Sequence, residues 1–327
     1  MKSHVLGLAL FSAAAIIATT PAQAQNGTLT RSFVSSAGLD SNACTITAPC
    51  ASFAHAYTMV GANGIIAALD PGKYGPIAIT GPVTINGNGW AAITAPASGN
   101  GITVTAGSGN VTLTGLEIDG ADAALNGIVF NSGGNLTVKN CLLKDFIADT
   151  QNGQTGNGIL IAPTTGAITF TIVDTIISNN ASAGIIYEPS SGSATATGVI
   201  DHVVVTGSSN YYASIGADMA YVSGGSADIT ISNSVISNNT EAYGVYAYAV
   251  HGSIAMTLDN DEISYNYYGI YNNSGSTMVL GRSTITNNSG YGIDNTGTID
   301  TLKSNQIYAN GFNNAVGGTA LIDVSLQ

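Results

Sequence analysis

Two acids, Glu188 and Asp218, and a run of tyrosines are the residues whose types and spacing could do chemistry. Two carboxyl groups flanking a glycosidic bond can hydrolyse it, one protonating the leaving oxygen while the other serves as base or nucleophile. Tyrosine has a different use. Its ring lies on the apolar face of a sugar, and its hydroxyl bonds to sugar hydroxyls. Twelve of the 15 tyrosines fall between Tyr211 and Tyr308. Tyr243, Tyr246, Tyr248, Tyr268 and Tyr271, with Asp218 and Asp294, form the candidate ligand-binding set. Asp122, Asp145 and Asp149 are the acids to weigh for calcium, but their spacing matches no EF-hand loop, so solvated acids, no metal site and no cofactor are expected. The register of the chain stacks Asp119, close to Glu117, on Lys144, a surface ion pair of small value. Cys44 and Cys50 enclose five residues and suit a disulfide in an oxidising compartment. Cys141 has no cysteine or histidine placed beside it and is expected as a buried free thiol.

A repeat must position these groups. A polar turn residue, with an aliphatic residue two before it and another three after it, recurs eight times: Gly115, Asn140, Asp174, Asp201, Asn233, Asn260, Arg282 and Ser304. In the fourth unit the flanking aliphatics are Val199 and Val204. The following aliphatics, Ile118, Leu143, Ile177, Val204, Ile236, Ile263, Ile285 and Ile307, are expected as one buried row. A glycine opens a short strand in each unit, at Gly101, Gly127, Gly158, Gly184, Gly216, Gly244, Gly269 and Gly292. Runs of period two, separated by Gly, Asn, Ser and Asp, are strands and turns, and none reaches helical length. One unit is too thin to bury its own apolar face, so the units must stack. The expected fold is all-β: a right-handed three-sheet parallel β-helix of about nine coils, on the order of 40 Å long.

On this register, outward side chains fall two and four residues after each glycine. Tyr246, Tyr271, Asp218 and Asp294 then share one column, and Glu188 and Tyr248 the next. Asp218 and Asp294, three coils apart, would be roughly 14 Å from each other, whereas Glu188 and Asp218 would be roughly 8 Å apart, an inverting distance. The residue before the glycine changes from Asn100, Asn126 and Asn157 to Tyr243, Tyr268 and Tyr291 in the later coils.

Residues 1–24, with Lys2, an apolar stretch and Ala22-Gln23-Ala24, have the form of a secretory signal peptide cleaved before Gln25. No transmembrane segment follows. Residues 25–63 are expected to hold a strand, the disulfide loop and a capping helix over Ala51–Val60, and 64–327 the β-helix. Only 8% of residues are charged, well below the usual share of roughly a quarter, because turn residues supply the polarity. The net charge of −12 argues against nucleic acid and anionic lipid as partners.

The opening Arg31-Ser32-Phe33-Val34-Ser35-Ser36-Ala37-Gly38-Leu39-Asp40, then Ala48-Pro49-Cys50-Ala51-Ser52-Phe53 and Leu69-Asp70-Pro71-Gly72-Lys73-Tyr74-Gly75, resembles secreted right-handed parallel β-helix proteins of the pectin-lyase-like superfamily. The resemblance implies a cleft on the outer face of the glycine-led sheet. It does not fix an activity, since this fold hosts lyases, hydrolases, epimerases, adhesins and inert rods. A lyase needs a strong base and a cation for the uronate, yet the outward columns contain no Lys or Arg. Lys139, Arg282 and Lys303 fall at the second strand or its turn, and Lys144 on the third. Val199-Ile200-Asp201-His202 resembles the Ile-Asp-His motif of pectate lyases, but Asp201 serves as the turn residue. The paired-Asp, Gly-His-Gly and Arg-x-Lys motifs of polygalacturonase-like enzymes do not occur. The resulting expectation is a secreted or periplasmic, non-catalytic bacterial protein that binds a polysaccharide or cell-surface glycan through the tyrosine face. The alternatives are a lyase or hydrolase with an unfamiliar catalytic set, for which Glu188 and Asp218 are the catalytic candidates, and a structural rod or adhesin module.

Overall fold

The structure, a computed structural model, describes residues 24–147, 156–209, 212–312 and 316–324. The signal-peptide reading rests on residues outside this range, as do Asp149 and Tyr211. Among the described residues the regular structure is all strand but for one helix, Phe53–Met59. The strands pair in parallel, coil on coil, in a ten-stranded sheet and a twenty-stranded sheet. The ten-stranded sheet is built from the glycine-led strands. The larger sheet holds two ladders that meet on the long strands Val83–Thr94 and Asn110–Asp119. The fold is a parallel β-helix.

Alternation produces the core. In Ser253–Asp259 the buried residues are Ile254, Met256 and Leu258, every second position, and each lies in register with its equivalents one coil away. The corners need left-handed backbone, and Gly115, Asn140, Asp174, His202, Asn233, Asn260 and Arg282 all have φ between 51° and 63°. Asn and Asp tolerate this region better than other L-residues. Their amides donate along the rod: Asp174 to the Asp201 carbonyl (3.2 Å), His202 to Ser232 (3.1 Å) and Asn233 to Asp259 (3.1 Å).

The fourth corner is thus His202, not Asp201. Ile172 pairs with Ile200 and Ile177 with Val205. Val205 is fully buried, Val204 is not, and Val199 is 40% exposed. The segment Val199-Ile200-Asp201-His202-Val203-Val204-Val205 satisfies the aliphatic pattern in two registers, and the hydrogen-bonded ladder selects the later one. The rest of the row holds: Ile118, Leu143, Ile177, Ile236, Ile263 and Ile285 are buried. Ile307, near the last coil, is only partly buried.

At the other end the helix packs on Leu29–Val34, Val60–Ala68 and Ile77–Ile79. Its start is fixed by Ser52, whose hydroxyl accepts from the His55 amide at 3.1 Å. Phe53, Ala56 and Tyr57 are fully buried, and the Tyr57 hydroxyl accepts from the Thr80 amide at 2.9 Å. Cys44 and Cys50 form a disulfide, with Cα atoms 4.7 Å apart.

Candidate functional site

The tyrosines and acids meet on the outer face of the ten-stranded sheet. Strands Ala213–Met219, Tyr243–Ala249, Tyr268–Asn272 and Ile293–Asn295 stack so that Gly216, Tyr246, Tyr271 and Asp294 form one row. Asp218 pairs with Tyr248 in a second row. Asp218 thus stands one row over from its expected place beside Tyr246, which requires Gly216 to open the strand. Ser214 holds that place instead, since Ile185 pairs with Ile215 and Ile186 with Gly216. Gly216 is glycine for another reason: a Cβ there would stand 2.7 Å from the Tyr246 carbonyl oxygen.

This shift changes the acid pair. Tyr187 pairs with Ala217, so Glu188 and Asp218 follow as direct row-mates on adjacent coils. Strands about 4.8 Å apart bring them nearer the ~5–5.5 Å of retaining carboxylates than the roughly 8 Å expected. Asp218 is 8% exposed. Its carboxylate accepts from the Tyr212 hydroxyl at 3.1 Å and from the Ala220 amide at 2.9 Å. Burial, with the charge of Asp218 adding to it, pushes Glu188 up to about 7. Burial also raises Asp218 and Asp294 above the usual carboxylate range. Tyr212 packs with Tyr246 on the buried cluster of Ala183, Ile186 and Ala213, and so covers the sheet face beside the pair. Tyr212 is the site residue that the repeat pattern misses, because it precedes its strand and holds no repeat position.

The rings interlock. Tyr246 stacks on Tyr271 with centroids 5.2 Å apart and planes at 16°, and lies 6.0 Å from Tyr248. Tyr243 touches Tyr246, Tyr268 and Tyr271 at 5.3–5.5 Å. Tyr268 continues edge-on to Tyr291, and Tyr291 to Phe312. Tyr243 and Tyr268 therefore brace the later coils, and the facing sides of Tyr246 and Tyr271 cover one another. The side of Tyr271 turned to Asp294 in the next coil has no ring on it among the described residues. There a groove of about 440 Å³ is lined by Tyr248, Tyr271, Asn273 and Thr296 among others.

The remaining candidates lie apart from this face. Lys144 is ringed by Asp119 (2.9 Å), Asp145 (3.4 Å) and Glu117 (3.6 Å), so Asp145, one of the acids weighed for calcium, is committed to a lysine. His202 Nδ1 lies 2.7 Å from Asp201 Oδ2 on an exposed corner. Lys139 pairs with Asp174, Arg282 with Asp259 and Lys303 with Asp323. Cys141 is free and buried, and burial raises its thiol to about 11.

Residues 147–319, more than half of the chain, match the family model described as "Periplasmic copper-binding protein (NosD)". The chain belongs to the NosD family. Among solved structures, this NosD-family chain is similar to pectate lyase Pel9A, with a TM-score of 0.52 and 16% identity over 86% of this chain and 70% of that one. A second similar structure is a lacto-N-biosidase from Eubacterium ramulus, with a TM-score of 0.41 and 8% identity over 90% of this chain and 67% of that one. No curated protein matches in sequence. The first structure shares the parallel β-helix fold. No helix among the described residues is long and apolar enough to cross a membrane.

Copper takes imidazole, thiolate and thioether donors. Among the described residues of this NosD-family chain, the one group of three that comes together is Cys44, Cys50 and His55, and its two sulfurs are joined in the disulfide. Met256 and Met278 pair in register inside the hydrophobic core. These residues do not fit a copper centre.

Proposed function

We propose that the protein is a periplasmic, glycan-binding β-helix, exported by a leader cleaved before Gln25, whose binding surface is the groove at Tyr248 and Tyr271. The observation that carries this reading is the asymmetry of Tyr271. One side is held by Tyr246. The other is turned to Asp294 in the next coil, and the ring lines a groove with the hydroxyls of Tyr248 and Thr296. A ring braced in this way loses little freedom when a sugar lies on it, and the neighbouring polar groups suit sugar hydroxyls. The fold is also one on which a pectate lyase is built. The test is a polysaccharide panel, assayed for binding and for cleavage, with the wild type and Tyr271→Ala. Binding lost in the variant at an unchanged melting temperature supports the reading, and binding retained in full refutes it.

Glycoside hydrolysis is the second reading, favoured by the row-mates Glu188 and Asp218. A protonated Glu188 would serve as the acid and Asp218 as its ionised partner. Released sugar that disappears with Glu188→Gln, while binding persists, would establish it. A lyase is not supported, because the strands of this sheet contain no Lys or Arg.

A further inference from the structure

The charge of the tyrosine face restricts what can occupy it. Asp218 and Asp294 stand in the rows of Tyr246, Tyr248 and Tyr271. Among the described residues no lysine or arginine forms an ion pair with them. The ten strands of this sheet contain no Lys or Arg, and the arginine and lysine of the later coils are engaged elsewhere, Arg282 with Asp259 and Lys303 with Asp323. Carboxylates partly withdrawn from water and lacking a counter-charge stabilise a cation brought to them and oppose an anion. Tyrosine faces add to the same preference, because an ammonium group is attracted to the ring's negative quadrupole. Asp294 stands next to the uncovered side of Tyr271, so a charged substituent on a sugar lying there would meet both.

We propose that the glycan bound at Tyr248 and Tyr271 carries free amino groups: an amino-sugar polymer rather than a uronate or an uncharged chain. This rests on the glycan reading above and adds the charge class of the ligand. It runs against a uronate substrate, because a uronate chain would place its carboxylates against Asp294 with no Lys or Arg of this sheet to receive them.

Three hexasaccharides separate the cases: β-1,4-linked glucosamine, the same chain fully N-acetylated, and galacturonate. Each is titrated calorimetrically at low salt into the wild type, Asp294→Asn and Tyr271→Ala, with thermal unfolding run as a fold check. The expected result is that the amine form binds about tenfold or more tighter than the acetylated form, and that galacturonate does not bind. Asp294→Asn should reduce that preference severalfold. Tyr271→Ala should remove binding of both. Equal or tighter binding of the acetylated or galacturonate chain overturns the charge inference and leaves the glycan reading standing. Binding of none of the three overturns both.

Discussion

Tyr246 and Tyr271, one coil apart, stack face to face at 5.2 Å, and Tyr271 turns its other side to Asp294. The two rings are therefore not equivalent. Tyr246 also touches Tyr212, Tyr243 and Tyr248, so it acts as a strut. Tyr271 stands between that strut and the groove.

Alanine substitutions should separate these roles. Tyr246→Ala should cost about 1–3 kcal/mol of stability through lost packing, seen as an earlier denaturant midpoint. Tyr271→Ala should melt within a few degrees of the wild type yet lose glycan binding. Equal destabilisation by both changes, with binding intact, would make the whole array structural.

The fourth corner gives a sharper test of register. Val205 is fully buried and Val204 is not, although both are aliphatic. Val205→Ala should cost roughly 2 kcal/mol, against a few tenths for Val204→Ala. The reverse order in urea unfolding would restore Asp201 as the corner.

That corner shows what the sequence can and cannot carry. Six of the eight units leave one register open at this corner, because it is held by a single left-handed residue such as Asn140 or Asn233. In the fourth, Asp201 and His202 can both take the turn, and aliphatics fill both frames. The same ambiguity arose at Gly216, where a glycine two residues late imitated the strand opener held by Ser214. The fold is insensitive to either ambiguity, because displacing one coil leaves a parallel stack intact. The site is sensitive to it: a frame opened at Gly216 sets Asp218 beside Tyr246, whereas the paired frame sets it in line with Tyr248. Tyr212 was beyond reach altogether. Its role comes from a contact across the sheet face, which no periodicity encodes.

A buried polar row predicts a stabilising change. Asn239, Asn266, Asn288 and Asn310 lie at one inner corner, where Asn239 donates to Asn266 (2.8 Å), Asn266 to Asn288 (3.1 Å) and Asn288 to Asn310 (2.9 Å). Two coils earlier the row reads Asn180 and Ser208, and neither Asn180 Nδ2 nor Ser208 Oγ has a hydrogen-bond partner. Serine is too short to continue the chain. Ser208→Asn should satisfy Asn180 and raise stability by about 1 kcal/mol, measured as a higher melting temperature. A lower one would mean that the corner lacks room for the longer side chain.

A second inner row carries an acid whose effect depends on pH. Asp261 is 3% exposed and stands where neighbouring coils place Ser234 and Ser283. Its carboxylate accepts from the Ser234 amide at 2.9 Å and the Asp259 amide at 3.1 Å. Burial nevertheless pushes it up to about 7. The folded protein therefore holds this proton up to near neutrality, whereas the unfolded chain releases it near the ordinary value of 3.8. Between those values the folded state binds more protons, so this group's contribution falls as pH rises from about 4 to about 7, by up to a few kcal/mol. Asp261→Ser removes the charge and keeps a hydroxyl that can accept from the Ser234 amide, as the Ser283 hydroxyl accepts from the Asp261 amide at 3.1 Å. The variant should melt higher than the wild type at about pH 8, and the gap should close towards about pH 4. A serine variant that is less stable at the higher pH would mean that the two backbone bonds outweigh the burial of the charge.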